Sequence, residues 1–220
     1  MLDGHRSLEF DPSPSPLPHP ESLPSLHVLL AAPRGFCAGV RRAIDAVVDA
    51  LDRHGAPVYV RRPIVHNQAV VSSLEAQGAV FVQELDEVPE GAVVILSAHG
   101  VAPEITIQAR RRKLVAYDAV CPLVAKVHRE VSRLQRDGRH VILIGHAGHP
   151  EVVGTLGHIP AGTATLVKSA EEVLELELGN DTPLGYAVQT TYSVDEAAEV
   201  TAALHSRFWD LSRPAAGDIC

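Results

Sequence analysis

The sequence predicts an α/β protein built from repeated units, each with a parallel β-sheet. Short apolar runs alternate with segments whose apolar residues recur three or four positions apart, as in strands followed by amphipathic helices. The predicted strands are apolar on both faces, which is typical of parallel sheets covered by helices on both sides. The order of elements after Cys37 also recurs after Cys121, and this indicates an internal repeat.

Length and composition exclude several classes of protein. A chain of 220 residues accommodates one large or two smaller α/β domains. Its net charge of −8 argues against a general nucleic-acid-binding protein. Because no apolar stretch approaches the roughly 18 residues of a spanning helix, and the first 26 residues lack a secretory core, we expect no membrane association and a cytoplasmic location. The three cysteines are then inert, redox-active or metal-bound rather than disulfide-bonded.

The repeat divides the chain into segments. Residues 1–26 are rich in proline and serine and predict a disordered tail. The first α/β unit is expected over residues 27–120 and the second over 121–219. Cys220 stands where a third unit would begin, so we expect that unit to be absent from this chain.

The elements follow from the apolar patterns. In chain order, strands are predicted over 27–32, 58–60, 79–82, 93–97, 114–117, 141–144, 163–167 and 185–189. Apolar residues at helical spacing predict one helix through Val40 and Leu51 and another through Val124 and Leu134. Ser193 and Glu196 form the pattern of a capping box, which predicts a helix from there to about Phe208.

Polar residues follow six of the eight predicted strands. Open parallel sheets bind ligands at the carboxyl ends of their strands, so these residues are the candidate site: Cys37, His66, His99, Cys121, His149 and Thr190.

Cys37 and Cys121 each stand between a strand and the start of a helix. The helix dipole and free N–H groups stabilise a thiolate there, and thiolates from separate units can converge on an iron–sulfur cluster. The alternatives are a small apolar filler or a zinc site shared with histidines. Zinc is disfavoured because the two cysteines lack the short paired spacing of structural zinc sites.

The glycine-rich loop from Gly145 to Gly154 could present N–H groups to an anion. Glu151, beside His149, suits proton delivery, although glutamate is also an ordinary first-turn residue. His66 and His99 could each donate to a phosphate oxygen or be structural. His146 is expected to shape the loop. The remaining histidines are expected at the surface: His5, His19, His27, His54, His128, His140, His158 and His205.

Six sequence motifs carry a family resemblance. They are PRGFCAGV (33–40), IVHN (64–67), SAHGV (97–101), CPLVAKVH (121–128), IGHAGHPEVVGT (144–155) and QTTYSVDE (189–196). Together with DIC at 218–220, the chain from about residue 28 onward resembles the 4-hydroxy-3-methylbut-2-enyl diphosphate reductases, the LytB family.

The resemblance implies a reductive dehydroxylation of that diphosphate to isopentenyl and dimethylallyl diphosphate, in non-mevalonate isoprenoid biosynthesis. It also implies a trefoil of three α/β units around a [4Fe-4S] cluster, with ferredoxin or flavodoxin as electron donor. In this scheme Cys37, Cys121 and Cys220 match the cluster ligands. Glu151 matches the proton-relay carboxylate, Thr190 assists it and contacts substrate, and His66, His99 and His149 match the residues around the substrate and its diphosphate.

Two departures from the family pattern stand out. Val120 replaces the threonine that usually precedes the second cysteine. The resemblance also implies a third unit that supplies a Ser-x-Asn motif, and we expect this unit to be absent from the 220-residue chain. The alternative function is therefore a truncated, inactive paralogue that binds a cluster or a diphosphate weakly.

Overall fold

A computed structural model describes residues 28–30, 32 and 34–214. The chain divides into two compact units, Met1–Gly35 and Phe36–Cys220, which are described separately. The tail predicted over residues 1–26 lies outside the described residues.

In the shorter unit, the strand predicted over 27–32 is wrong for every described residue in that range. Residues 28–30 and 32 have no strand conformation, and residues 27 and 31 lie outside the described residues. A strand exists only through pairing with a neighbour, and no strand in the described part of the chain pairs with this apolar segment.

The longer unit contains two four-stranded sheets. The first has the order β2-β1-β3-β4 and consists of β1 (Val58–Arg61), β2 (Ala79–Val82), β3 (Val93–Leu96) and β4 (Val115–Asp118). The second has the order β6-β5-β7-β8 and consists of β5 (His140–Ile144), β6 (Ala164–Val167), β7 (Leu184–Val188) and β8 (Leu211–Ser212). Every pairing in both sheets is parallel. The matching order confirms two repeated α/β units with parallel sheets.

Seven α-helices lie in the described part of the chain. They are α1 (Ala38–His54), α2 (Gln68–Glu75), α3 (Pro103–Arg111), α4 (Pro122–Arg136), α5 (Pro150–Leu156), α6 (Ala170–Leu174) and α7 (Val194–Arg207). A short 3-10 helix also occurs at Leu85–Glu87. The side chain of Ser193 accepts a hydrogen bond from the Glu196 N–H at 3.3 Å, which explains the predicted start of α7.

Helices cover both faces of each sheet, as the apolar strands predicted. In the first sheet, Val60 packs with Val47 of α1, whereas Leu96 packs with Ala109 of α3 on the opposite face. In the second sheet, alternate residues of β5 pack against α4 on one face and α7 on the other. Full burial of each such aliphatic side chain contributes roughly 1.5–3 kcal/mol.

The registers place the ends of the strands together. Arg61 of β1 is level with Val82 of β2 and with Leu96 of β3. Ile144 of β5 is likewise level with Val167 and Val188 in its own sheet. The loops that follow β1 and β3 therefore leave the first sheet at one edge, and those that follow β5 and β7 leave the second sheet together.

Candidate functional site

Three helices of the longer unit begin at predicted site residues. Cys37 is the N-cap of α1, Cys121 that of α4 and His149 that of α5. Pro122 and Pro150 follow the last two caps at the first helical position, where a missing N–H is harmless. These starts turn free N–H groups and the positive ends of helix dipoles toward the edge where the strands end.

The loops after the strands enclose a cavity of about 350 Å³. Six of the predicted residues line it: Cys37, His66, His99, Cys121, Glu151 and Thr190. His149 adjoins them, since its ring centroid lies 5.7 Å from that of His66 and 5.6 Å from that of His99. Cys220 lies outside the described residues.

The two cysteine sulfurs face the same glycine. A Cβ atom on Gly39 would lie 2.8 Å from the Cys121 sulfur and 3.8 Å from the Cys37 sulfur, so a side chain there would displace the first of them. The Cys37 sulfur accepts a hydrogen bond from the Val40 N–H at 3.4 Å. The Cys121 N–H donates to the Ala98 carbonyl at 3.0 Å and ties α4 to the end of the first sheet. The two sulfurs are thus close enough to bind one metal group.

His66, His99 and His149 form a compact imidazole triad. Each offers a ring nitrogen within 4.8 Å of the other two. Burial, together with the neighbouring His66 and His149, lowers the pKa of His99 to about 4. Burial and the neighbouring His66 and His146 also lower the pKa of His149. His99 and His149 are therefore neutral at pH 7.

The hydrogen bonding of His149 decides what the triad can hold. Its Nδ1 accepts the Glu151 backbone N–H at 3.2 Å, so the hydrogen of the neutral ring is assigned to Nε2. A ring in this state has no free nitrogen lone pair for a metal. It can instead donate a hydrogen bond, which favours an anion over the zinc alternative.

Glu151 and Thr190 form a buried pair. Glu151 is only 1% exposed. One of its carboxylate oxygens accepts the Thr190 N–H at 2.6 Å, and the other accepts the Thr190 hydroxyl at 2.9 Å. Burial raises the pKa of Glu151, although these two hydrogen bonds oppose the shift. Such a carboxyl group holds a proton to higher pH than an exposed one, as a proton donor requires.

Gln189 is a site residue that the sequence reasoning missed. It is 2% exposed, its Oε1 accepts the His146 N–H and its Nε2 donates to the Thr191 hydroxyl, both at 2.9 Å. The amide thereby links the loop before His149 to the loop that contains Thr190. Its position directly before Thr190 was the available signal. The His146 ring packs on Tyr192, with centroids 4.8 Å apart, in keeping with a loop-shaping residue.

The prediction that the remaining histidines are surface residues is wrong for His128. It is 8% exposed because it lies one helical turn after Val124 on the buried face of α4. His54 and His205 are exposed, whereas His140 and His158 are half-buried. His5, His19 and His27 lie outside the described residues.

Comparisons with known proteins agree with these motifs. The family model described as LytB protein matches residues 28–220. A 4-hydroxy-3-methylbut-2-enyl diphosphate reductase of Gluconobacter oxydans is 54% identical over 204 residues, covering 91% of this chain and 61% of the relative. The enzyme of that name from Nitrosomonas europaea is 53% identical, covering 89% of this chain and 61% of the relative.

Two solved structures resemble the fold. The E-1-hydroxy-2-methyl-but-2-enyl-4-diphosphate reductase of Plasmodium falciparum has a TM-score of 0.82 at 40% identity, covering 86% of this chain and 59% of that one. An (E)-4-hydroxy-3-methyl-but-2-enyl diphosphate reductase has a TM-score of 0.76 at 33% identity, covering 88% of this chain and 68% of that one.

Two further facts bound the comparison. The chain spans about 61% of the length of the curated relatives it matches. Within the described residues, no helix is both long and apolar enough to cross a membrane. Because the family model covers residues 28–220 and the two parallel sheets match solved members, the chain belongs to the LytB protein family.

Proposed function

We propose that this chain carries the reacting residues of a reductive dehydroxylation of 4-hydroxy-3-methylbut-2-enyl diphosphate. The products are isopentenyl and dimethylallyl diphosphate, the reaction belongs to non-mevalonate isoprenoid biosynthesis, and we place it in the cytoplasm. The observation that carries the proposal is one cavity lined by two cysteines, two of the three triad histidines and the buried pair Glu151–Thr190. The names of the relatives support the substrate.

Cys37 and Cys121, with Cys220, would hold a [4Fe-4S] cluster. The donor set fits, because the first two sulfurs face the same glycine and each lies at the positive end of a helix, which stabilises thiolates. When bound, the cluster would supply electrons and an iron that accepts the substrate hydroxyl group. Ferredoxin or flavodoxin is the proposed electron donor.

The triad of His66, His99 and His149 would bind the diphosphate. The His149 ring presents an Nε2–H donor, and the N-terminus of α5 adds a positive dipole beside it. Two neutral rings kept close together avoid the repulsion that two imidazolium ions would suffer at the same distance. Once the anion is bound, its charge favours protonation of the same rings.

Glu151 would deliver the proton that completes the reaction. Replacing the substrate C–O bond by a C–H bond consumes two electrons and two protons and releases one water molecule. A buried carboxyl group with a raised pKa can hold one of those protons. The Thr190 hydroxyl fixes the orientation of the carboxyl group, and Thr190 is among the residues that line the cavity and would contact substrate.

The test is anaerobic reconstitution with iron and sulfide, followed by a reduction assay with the diphosphate. We expect iron binding in the parental chain and its loss in Cys37→Ser and Cys121→Ser. Product formation would establish the reductase, and its absence despite a stable cluster would favour the non-catalytic paralogue. That second candidate is favoured by the exposure of Cys37. Failure to bind iron would contradict the reductase and a cluster-binding paralogue, and would leave only a paralogue that binds the diphosphate.

A further inference from the structure

A close contact joins the loop after β3 to α5 and the turn that follows it. A Cβ atom on Gly154 of α5 would lie 3.0 Å from the Gly100 carbonyl oxygen, and one on Gly157 would lie 2.2 Å from the Ala102 Cβ. The two segments therefore touch through their backbones. Gly100 has a φ of +73°, a backbone conformation that favours glycine.

His158, in the turn after α5, stabilises this contact by a hydrogen bond. Its Nε2 lies 3.1 Å from the Val101 carbonyl oxygen. A carbonyl can only accept, so the Nε2 of His158 carries the hydrogen. The bond joins the turn after α5 directly to the loop that contains His99.

His128 of α4 completes the contact. Its ring lies against that of His158, with centroids 4.0 Å apart and planes 31° apart. The Cε1–Nε2 edge of His128 faces Gly100, since a Cβ atom there would lie 2.4 Å from Cε1 and 3.0 Å from Nε2. Two imidazoles from the second α/β unit thus hold the two residues that follow His99.

We propose that His128 and His158 are positioning residues that set the spacing between His99 and His149 in the imidazole triad. His99 directly precedes Gly100 and Val101, which contact these two histidines. His149 is the N-cap of the short helix that ends just before His158. A shift at the His158–Val101 bond therefore moves two of the three rings relative to each other. This inference rests on the proposed function of the triad as the anion site.

The test uses inorganic pyrophosphate as probe, with isothermal titration calorimetry and NMR of the histidine ring signals in the 220-residue chain. His158→Leu removes the bond to Val101, and His158→Gln retains an N–H donor. We expect about tenfold weaker pyrophosphate binding in the leucine variant, because one positioning hydrogen bond is lost, and affinity within about twofold of the parent in the glutamine variant. The ring signals of His99 and His149 should shift in the leucine variant even without ligand.

His140→Leu is the matched control. His140 is half-buried and bonds Thr165 between β5 and β6 at 2.8 Å, away from the triad. It should lose stability without losing pyrophosphate affinity. Parental affinity and unshifted His99 signals in His158→Leu would overturn the positioning role. If the parental chain binds no pyrophosphate, the anion site itself is wrong, and the ligand-free NMR shifts alone decide the positioning role.

Discussion

At the scale of single residues, the site depends on which atom each polar group leaves free. The Nδ1 of His149 accepts a backbone N–H, so the other ring nitrogen is left as a hydrogen-bond donor. Glu151 receives two hydrogen bonds from Thr190, so its orientation is fixed while burial keeps its proton affinity high. The His149 donor suits a bound anion, and the buried Glu151 carboxyl group suits proton donation beside it.

Glu151→Gln should abolish turnover in an active, cluster-loaded form of the protein, with a loss of about 10²–10⁴-fold. An amide of the same shape can still hydrogen-bond to Thr190, but it cannot transfer a proton. Iron content should stay unchanged, because Glu151 is not a proposed ligand. Glu199→Gln, at an exposed position of α7, is the control and should retain activity. Near-parental rates in the Glu151 variant would remove this residue from the reaction.

Val120 lies close to a buried nitrogen of His128 that has no hydrogen-bond partner. Both groups lie beside Gly100. A Cβ atom on this glycine would lie 3.0 Å from the His128 Nε2 and 3.2 Å from a Val120 methyl carbon. Threonine at this position would replace one methyl group by a hydroxyl that can donate to the nitrogen.

We expect Val120→Thr to raise the free energy of unfolding by roughly 1 kcal/mol, because it satisfies a buried polar atom. Urea denaturation at pH 7.5 measures the change. Val131→Thr, at a fully buried position of α4, is the control. It should be destabilising, because its hydroxyl is buried in an apolar cluster. A Val120 variant no more stable than the parent would show that the hydroxyl does not reach His128.

At the scale of elements, α4 brings both Cys121 and His128 to the first sheet. Burial, then the charges of His158 and Arg129, lowers the pKa of His128 to about 4. Burial also lowers the pKa of His158, although the charges of Glu104 of α3 and Asp118 of β4 oppose that shift. The folded protein therefore binds the His128 proton more weakly than the unfolded chain does.

The free energy of unfolding should fall as the pH drops from about 6.5 towards 4, because the unfolded chain takes up the His128 proton first. The contribution of His128 is on the order of 3 kcal/mol over this interval. Urea denaturation at several pH values should show a weaker dependence in His128→Gln than in the parent. An equal dependence in both proteins would contradict the assignment to His128.

The apolar patterns predicted most strands and the helices at Cys37, Cys121 and Ser193, because period and capping are local properties. The two-residue β8 was missed because it is too short to show a pattern. The strand predicted over 27–32 was wrong for the described residues in that range, because strand formation requires a partner strand that lies elsewhere in sequence. The approach of both sulfurs to Gly39, and the burial of His128, depend on packing that sequence spacing does not reveal.

At the scale of the whole molecule, the cavity lies where loops of both sheets meet, yet Cys37 is exposed and Phe36 is 49% exposed. The curated relatives are also longer than this chain. Solvent can therefore reach one side of the proposed reaction site in the 220-residue chain.

We expect the 220-residue chain to be a poorer reductase than a version extended by the remaining segment of a relative. Additional structure would exclude water from the cavity and fix a third cysteine. Iron per chain and product formed, measured on both proteins after the same reconstitution, provide the comparison. Equal cluster stability and equal rates would show that the extension is dispensable.

The cavity lining has a consequence for ionic strength. None of the described residues that line it is a lysine or an arginine. Anion sites built from those residues lose affinity steeply as salt screens their charges, and they draw anions in from a distance. A site formed by imidazoles and helix ends carries less fixed charge than one built from lysine and arginine, so it depends more on short hydrogen bonds to its ligand. Its affinity for an anion should therefore fall less steeply with rising salt concentration than the affinity of a pocket lined by lysine and arginine.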